Sequence, residues 1–168
     1  MTAALIAFLR ARLDEDEAEA RGTGMPLDWH QGPGPEDPEW ASAEMVLMWP
    51  PEHHTPYERD KHWRGRTLDS AGQAGHIARH DPARVLREVE AKRMLIGGIT
   101  TERHHVTDGD CWYTCAAATE ERDGGETCDD NRTGGPCDCG RDERVGRCLR
   151  LLALPYADHP DYREEWQP

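Results

Sequence analysis

Six cysteines follow the pattern C-x3-C-x12-C-x8-C-x-C-x8-C between Cys111 and Cys148. Three chemistries fit such a set: a metal site, disulfides, or reduced thiols. Cys111 and Cys115 have the spacing of the first half of a structural zinc site, and Cys137 and Cys139 stand where the second half belongs. Cys-x-Cys is tighter than the common pair, but Gly140 frees the backbone to turn and Pro136 stiffens the approach, so both sulfurs can reach one ion. A tetrahedral ion needs four ligands, whereas the loop carries a fifth cysteine, Cys128. His105, upstream of Cys111, is an imidazole able to replace a thiolate. The candidate ligands are therefore Cys111, Cys115, Cys128, Cys137, Cys139 and His105, and the expected cofactor is one structural zinc ion. The even count also permits a disulfide framework, and that alternative stays open.

The segment around these residues explains why a crosslink is expected. Residues 100–140 contain few apolar side chains, so burial alone cannot offset the entropy of ordering them. Cys148 is set apart, because its spacing from Val145, Leu149 and Leu152 places it on the apolar face of a helix as a small buried hydrophobe.

Two other constellations point toward catalysis. His76-x3-His80-Asp81 offers imidazoles at i and i+4 beside a carboxylate, the donor types of a metal-dependent hydrolase. A thiol enzyme would need a low-pKa cysteine near a base, and only "CWYTC", from Cys111 to Cys115, close to His104 and His105, offers that. Both are weaker than their structural alternatives. Asp81-Pro82 is already explained as a helix start, where the carboxylate accepts free N–H groups and proline has none to lose. Acidic surroundings, in turn, disfavour a thiolate at Cys111.

The elements that must position these residues are few. Leu5, Phe8, Leu9 and Leu13 give residues 3–20 the stripe of an amphipathic helix, with Thr2 as N-cap. From Gly22 to Pro56, Gly and Pro are too frequent for helix or central strand, and "EMVLMW", Glu44 to Trp49, is the one compact apolar run, expected as a buried strand covered by Trp29, Trp40 and Trp63. A second helix is expected from Asp81-Pro82 to about Ile96, with the stripe Val85, Leu86, Val89 and Ile96 and a stop at Gly97-Gly98. A third spans about 142–154 and ends at Pro155. The tail after it is polar, with Tyr156, Tyr162 and Trp166 as aromatic anchors. The expected fold is α+β: a small single domain, residues 1–168, of about three helices and a short-stranded sheet, with residues 100–140 as a cysteine-rich, metal-stabilised insertion.

Composition limits the partners. The chain has 168 residues, 33 acidic against 20 basic, for a net charge of −13. Nucleic acids and anionic membranes are bound through Lys and Arg, so this balance disfavours both and leaves a protein partner as the expectation. The opening apolar run, Ala3 to Leu9, has no preceding positive charge and is far shorter than the roughly 20 residues of a membrane span. A cytoplasmic protein with reduced thiols is expected.

Two blocks, "HIARHDPARVLREVEAKR" (76–93) and "LRLLALPYADHPDYREEW" (149–166), with "FLRARLDEDE" near the start, resemble a domain-of-unknown-function family of small actinobacterial and actinophage proteins. "PCDCGRDERV" is similar to a piece found in part of that family, where it follows a cysteine pair spaced by two residues; here Cys111 and Cys115 are spaced by three. The resemblance implies no activity and no catalytic residue. The functional expectation is a small acidic binding or regulatory module with a structural zinc site, with a metal-dependent hydrolase or thiol enzyme as the alternative.

Overall fold

In the computed structural model, the described residues are 2–23, 29–33, 44–48, 65–68, 71–108, 112–118 and 134–168. The chain divides into two compact units, one of residues 1–11 with 92–168 and the other of residues 12–91. In chain order the elements are α1 (Thr2–Gly22), β1 (Trp29–Pro33), β2 (Glu44–Met48), β3 (Gly65–Leu68), α2 (Ala71–Arg79), α3 (Pro82–Thr100) and α4 (Arg141–Ala153). Two 3-10 turns follow, Leu154–Tyr156 and Glu164–Trp166.

In the first unit the core is helical. Leu5, Phe8 and Leu9 of α1 recur at three- and four-residue spacing and are buried, as are Ile96 of α3 and Val145, Leu149 and Ala153 of α4. Phe8, the single phenylalanine of the chain, sits at the centre of an aromatic cluster. Its ring centroid lies 4.9 Å from that of Trp166, 6.0 Å from Tyr162 and 6.4 Å from Tyr156, the last two nearly edge-on. Edge-to-face contacts set the positive rim of one ring against the negative face of another. Through them the three tail anchors hold an otherwise polar segment against α1. His159 joins at 5.8 Å from Phe8, and its Nδ1 accepts the Asp161 N–H at 3.1 Å. The "DHPDY" stretch, residues 158–162, is thus a packed turn.

In the second unit Leu13, Ala20, Ala74 and Val89 are buried. Arg12 is also buried and donates to Glu15 Oε1 at 2.6 Å. Asp81 caps α3: its Oδ1 accepts the Arg84 N–H at 2.6 Å, and its carbonyl accepts that of Val85 at 3.0 Å. Oδ2 accepts the Trp29 N–H at 3.4 Å, which ties the start of β1 to the same carboxylate. The backbones of β1, β2 and β3 pair antiparallel in that order, with Gln31 opposite Val46 and Val46 opposite Arg66. Pro33 falls at the end of edge strand β1, where its missing N–H breaks no central ladder. Trp29 is half-buried; Trp40, Trp49 and Trp63 lie outside the described residues.

The structure corrects the α+β expectation. The described part is helical, with helix dominating the described residues. Its buried apolar side chains recur every three or four positions, the spacing that sets one face of a helix against another. Four α-helices are present among the described residues rather than about three, because "AGQAGHIAR" forms α2 ahead of Asp81. That places His76 on a helix, not before one. Nor do Gly97 and Gly98 stop α3, which continues to Thr100. Neither glycine takes a positive φ. At the helix end Gly97 O accepts the Thr101 N–H at 3.2 Å, and the carbonyl of Gly98 accepts the Thr101 hydroxyl at 3.0 Å.

Two stability predictions follow from these contacts. Phe8→Ala removes the hub of the aromatic cluster and should cost about 3–5 kcal/mol in urea denaturation, against less for Phe8→Leu. Asp81→Ala should cost about 1–2 kcal/mol and raise amide hydrogen exchange in the first turn of α3, whereas Asp81→Asn keeps most of the cap.

Candidate metal centre

Three separate pieces of backbone meet at one end of α4. The first is the extended segment 102–107 that leaves α3. Arg141 anchors it, Nε donating to Glu102 O at 2.9 Å and Nη2 to Thr100 O at 3.1 Å, while Arg144 forms an ion pair with Glu102. The second piece, residues 112–118, docks on the first. Cys115 N–H donates to His105 O at 2.8 Å, and the buried Thr114 hydroxyl bridges to Thr107, accepting its N–H at 3.0 Å. The third, residues 134–140, docks on the second: Gly134 N–H donates to Ala116 O at 2.9 Å, and Asp138 Oδ1 accepts the Ala116 N–H at 3.1 Å. It then turns into α4 at Gly140, whose φ of 75° is left-handed. A Cβ there would meet Arg144 Nη1 at 3.3 Å as well as straining the backbone, so the glycine after Cys139 is a geometric requirement.

This assembly brings four donors together. His104 Nδ1 lies 3.5 Å from Cys115 Sγ and 3.7 Å from Cys139 Sγ; Cys137 Sγ lies 3.9 Å from Cys115 Sγ and 3.6 Å from Cys139 Sγ. All four ligand atoms fall within 4.8 Å of one another. With metal–sulfur bonds of about 2.3 Å and a metal–nitrogen bond of about 2.0 Å, a regular tetrahedron has edges of about 3.8 Å between sulfurs and about 3.5 Å between sulfur and nitrogen. These four separations lie within about 0.2 Å of those values, so the group can hold a metal ion. The same separations are far from the roughly 2.05 Å of a disulfide, and Cys115, Cys137, Cys139 and Cys148 are free thiols.

The electrostatics suit anionic sulfur. For Cys139, burial opposes ionisation, but backbone N–H groups of His105 and Arg141, with His104 and Cys115, outweigh it and bring the thiol down to about 6. Burial pushes the Cys115 thiol up, against backbone N–H groups of Ala117, Cys139 and Asp138 that favour its thiolate. Two sulfurs this close resist both ionising, and a bound cation would remove that penalty. Beyond the ligands, His104 Nε2 lies 3.7 Å from Asp142 Oδ1 in the first turn of α4. A carboxylate on the far ring nitrogen orients an imidazole for metal binding through the near one.

Of the residues singled out by spacing, Cys115, Cys137 and Cys139 converge. His105 is exposed; its Nε2 lies 3.3 Å from Thr107 Oγ1, and its carbonyl, not its ring, serves the cluster. Its neighbour His104 supplies the imidazole. Adjacent side chains on an extended segment point in opposite directions, and no sequence signal tells which of two consecutive histidines faces inward. Cys111 and Cys128 lie outside the described residues. Cys148 is half-buried on α4 and stands outside the donor group.

The catalytic alternative gains no support from geometry. His76 and His80 are exposed, with ring centroids 4.6 Å apart, and Asp81 spends both carboxylate oxygens on backbone N–H groups. Among the described residues no third donor joins them, the cysteine–histidine cluster being the one group with metal-ligating convergence. Also among the described residues, no helix is long and apolar enough to cross a membrane.

No curated protein and no solved structure matches the chain. Its similarity lies with a family model that matches residues 2–168, nearly the whole length and including every residue of the donor cluster, so the chain belongs to a family of unknown function (DUF6221).

Proposed function

We propose that this protein is a binding or regulatory module whose cysteine-rich segment is clasped by one structural zinc ion, held by His104, Cys115, Cys137 and Cys139. The observation that carries the reading is the near-tetrahedral spacing of three thiols and one imidazole. Three sulfurs and one nitrogen suit zinc better than the harder magnesium or calcium, which take oxygen donors. Four protein ligands fill a tetrahedral ion and leave no position for substrate or water, so its contribution is to folding rather than to turnover. Reduced thiols also accord with a cytoplasmic location, where a zinc site can persist without competing disulfides.

The role of the ion follows from what it would join. Residues 102–107, 112–118 and 134–140 contribute few side chains to the core, and the four donors come from all three pieces. Their junction lies at the N-terminal turn of α4, where Arg141 and Arg144 bind the segment leaving α3.

Native mass spectrometry tests the reading directly. The purified protein should carry one zinc ion, which a chelator removes, and loss of the ion should expose residues 101–118 and 134–140 to protease while α1 stays protected. Cys137→Ser and His104→Ala should lose the metal, and His105→Ala should retain it. Cobalt substitution should give the visible bands of a tetrahedral thiolate site. Retention of zinc in Cys137→Ser, or its loss in His105→Ala but not in His104→Ala, would show the ligand set to be wrong.

A further inference from the structure

Arg141 opens α4 with its side chain only 20% exposed, and its guanidinium serves three acceptors. Nη2 donates to Thr100 O at 3.1 Å, Nε to Glu102 O at 2.9 Å and Nη1 to Asp142 Oδ1 at 2.8 Å. Thr100 and Glu102 lie just upstream of His104, and the same Asp142 oxygen lies 3.7 Å from His104 Nε2. One planar group therefore grips both the backbone that leads to the imidazole and the carboxylate that faces its far ring nitrogen.

A metal ligand is pre-set only when its main chain and its ring are both held. Downstream of His104, Cys115 N–H donates to His105 O and Thr107 N–H donates to the Thr114 hydroxyl, so segment 112–118 fixes that side. Upstream, Arg141 takes the two carbonyls. A guanidinium suits this task because its donors leave a rigid plane in several directions, whereas the single ammonium nitrogen of a lysine cannot reach acceptors spread over that width. The neighbouring ion pair of Arg144 with Glu102 is a weaker hold, since both side chains are more than a third exposed and solvent screens them.

We propose that Arg141 is the positioning residue of the metal centre, holding His104 through its backbone and through Asp142 and so setting how tightly zinc is bound. This deepens the structural-zinc reading and rests on it. Arg141 touches no ion and acts only through the imidazole.

The test uses the full-length protein with zinc alone as ligand, its affinity read by competition against a chromophoric chelator. Arg141→Lys should weaken zinc by about tenfold or more, the size expected when a metal ligand loses its outer partners. Asp142→Asn keeps the backbone contacts of Arg141, guards against unfolding, and should weaken zinc by a similar factor. The double variant should weaken it by less than the product of the two, because both act through His104. Arg144→Lys should stay within about twofold of the natural protein. Cobalt-loaded Arg141→Lys should show weaker bands of a tetrahedral site, as water competes for the place of the imidazole. Unchanged zinc affinity in Arg141→Lys or Asp142→Asn, with zinc still bound, would overturn the positioning role and leave the clasp standing. Fully multiplicative losses, or a cobalt spectrum identical to that of the natural protein, would mark Arg141 as a support of the fold alone and overturn it too. If the natural protein binds no zinc, the clasp itself fails and the positioning role falls with it.

Discussion

Ordering a polar segment needs a source of free energy other than burial, and the convergence of His104, Cys115, Cys137 and Cys139 is a place where a bound metal ion could supply it. The donors come from three backbone pieces joined to one another by hydrogen bonds. A soft tetrahedral ion bonded to all four would tie the three pieces together at one point. The same backbone arrangement also aims N–H groups at two of the sulfurs. Peptide geometry and ligand chemistry therefore reinforce one another at the same place.

The other supports are ordinary packing and capping. Phe8 gathers Tyr156, Tyr162 and Trp166 onto α1, so the tail needs no crosslink. Asp81 meets the start of α3 and the N–H of Trp29 with one carboxylate. That use of Asp81 also explains why His76, His80 and Asp81 resemble a catalytic motif in sequence yet make no such site: the residue types of a metal-binding triad are also those of a helix junction. At α4 the single left-handed glycine does two things at once. It turns the chain from Cys139 into the helix and leaves room for Arg144, which in turn reaches Cys139 O and Glu102.

Much of the helical framework was legible because helix signals are local. Leu5, Phe8, Leu9 and Leu13 announce α1, and Asp81-Pro82 announces α3, through spacing and capping that operate within one or two turns. Elsewhere a local cue is overridden. Gly97-Gly98 reads as a stop, but backbone hydrogen bonding continues through it, Thr101 N–H reaching Gly97 O. The small residues of α2 carry too weak a pattern to separate from loop. The apolar run that begins at Glu44 does form a strand, β2.

For the site, the kind of chemistry is written in residue type and order: thiols at close spacing, a nearby imidazole, a glycine able to turn after Cys139 and a segment too polar to bury. Which residues take part depends on the folded chain. It chose His104 over His105, because facing direction on an extended strand depends on what docks beside it. It joined Cys115 to Cys137 and Cys139 across more than twenty residues, and it supplied Asp142 from the next helix to orient the imidazole. A ligand set is a set of distances, and distances between pieces far apart in sequence arise only when the chain is folded.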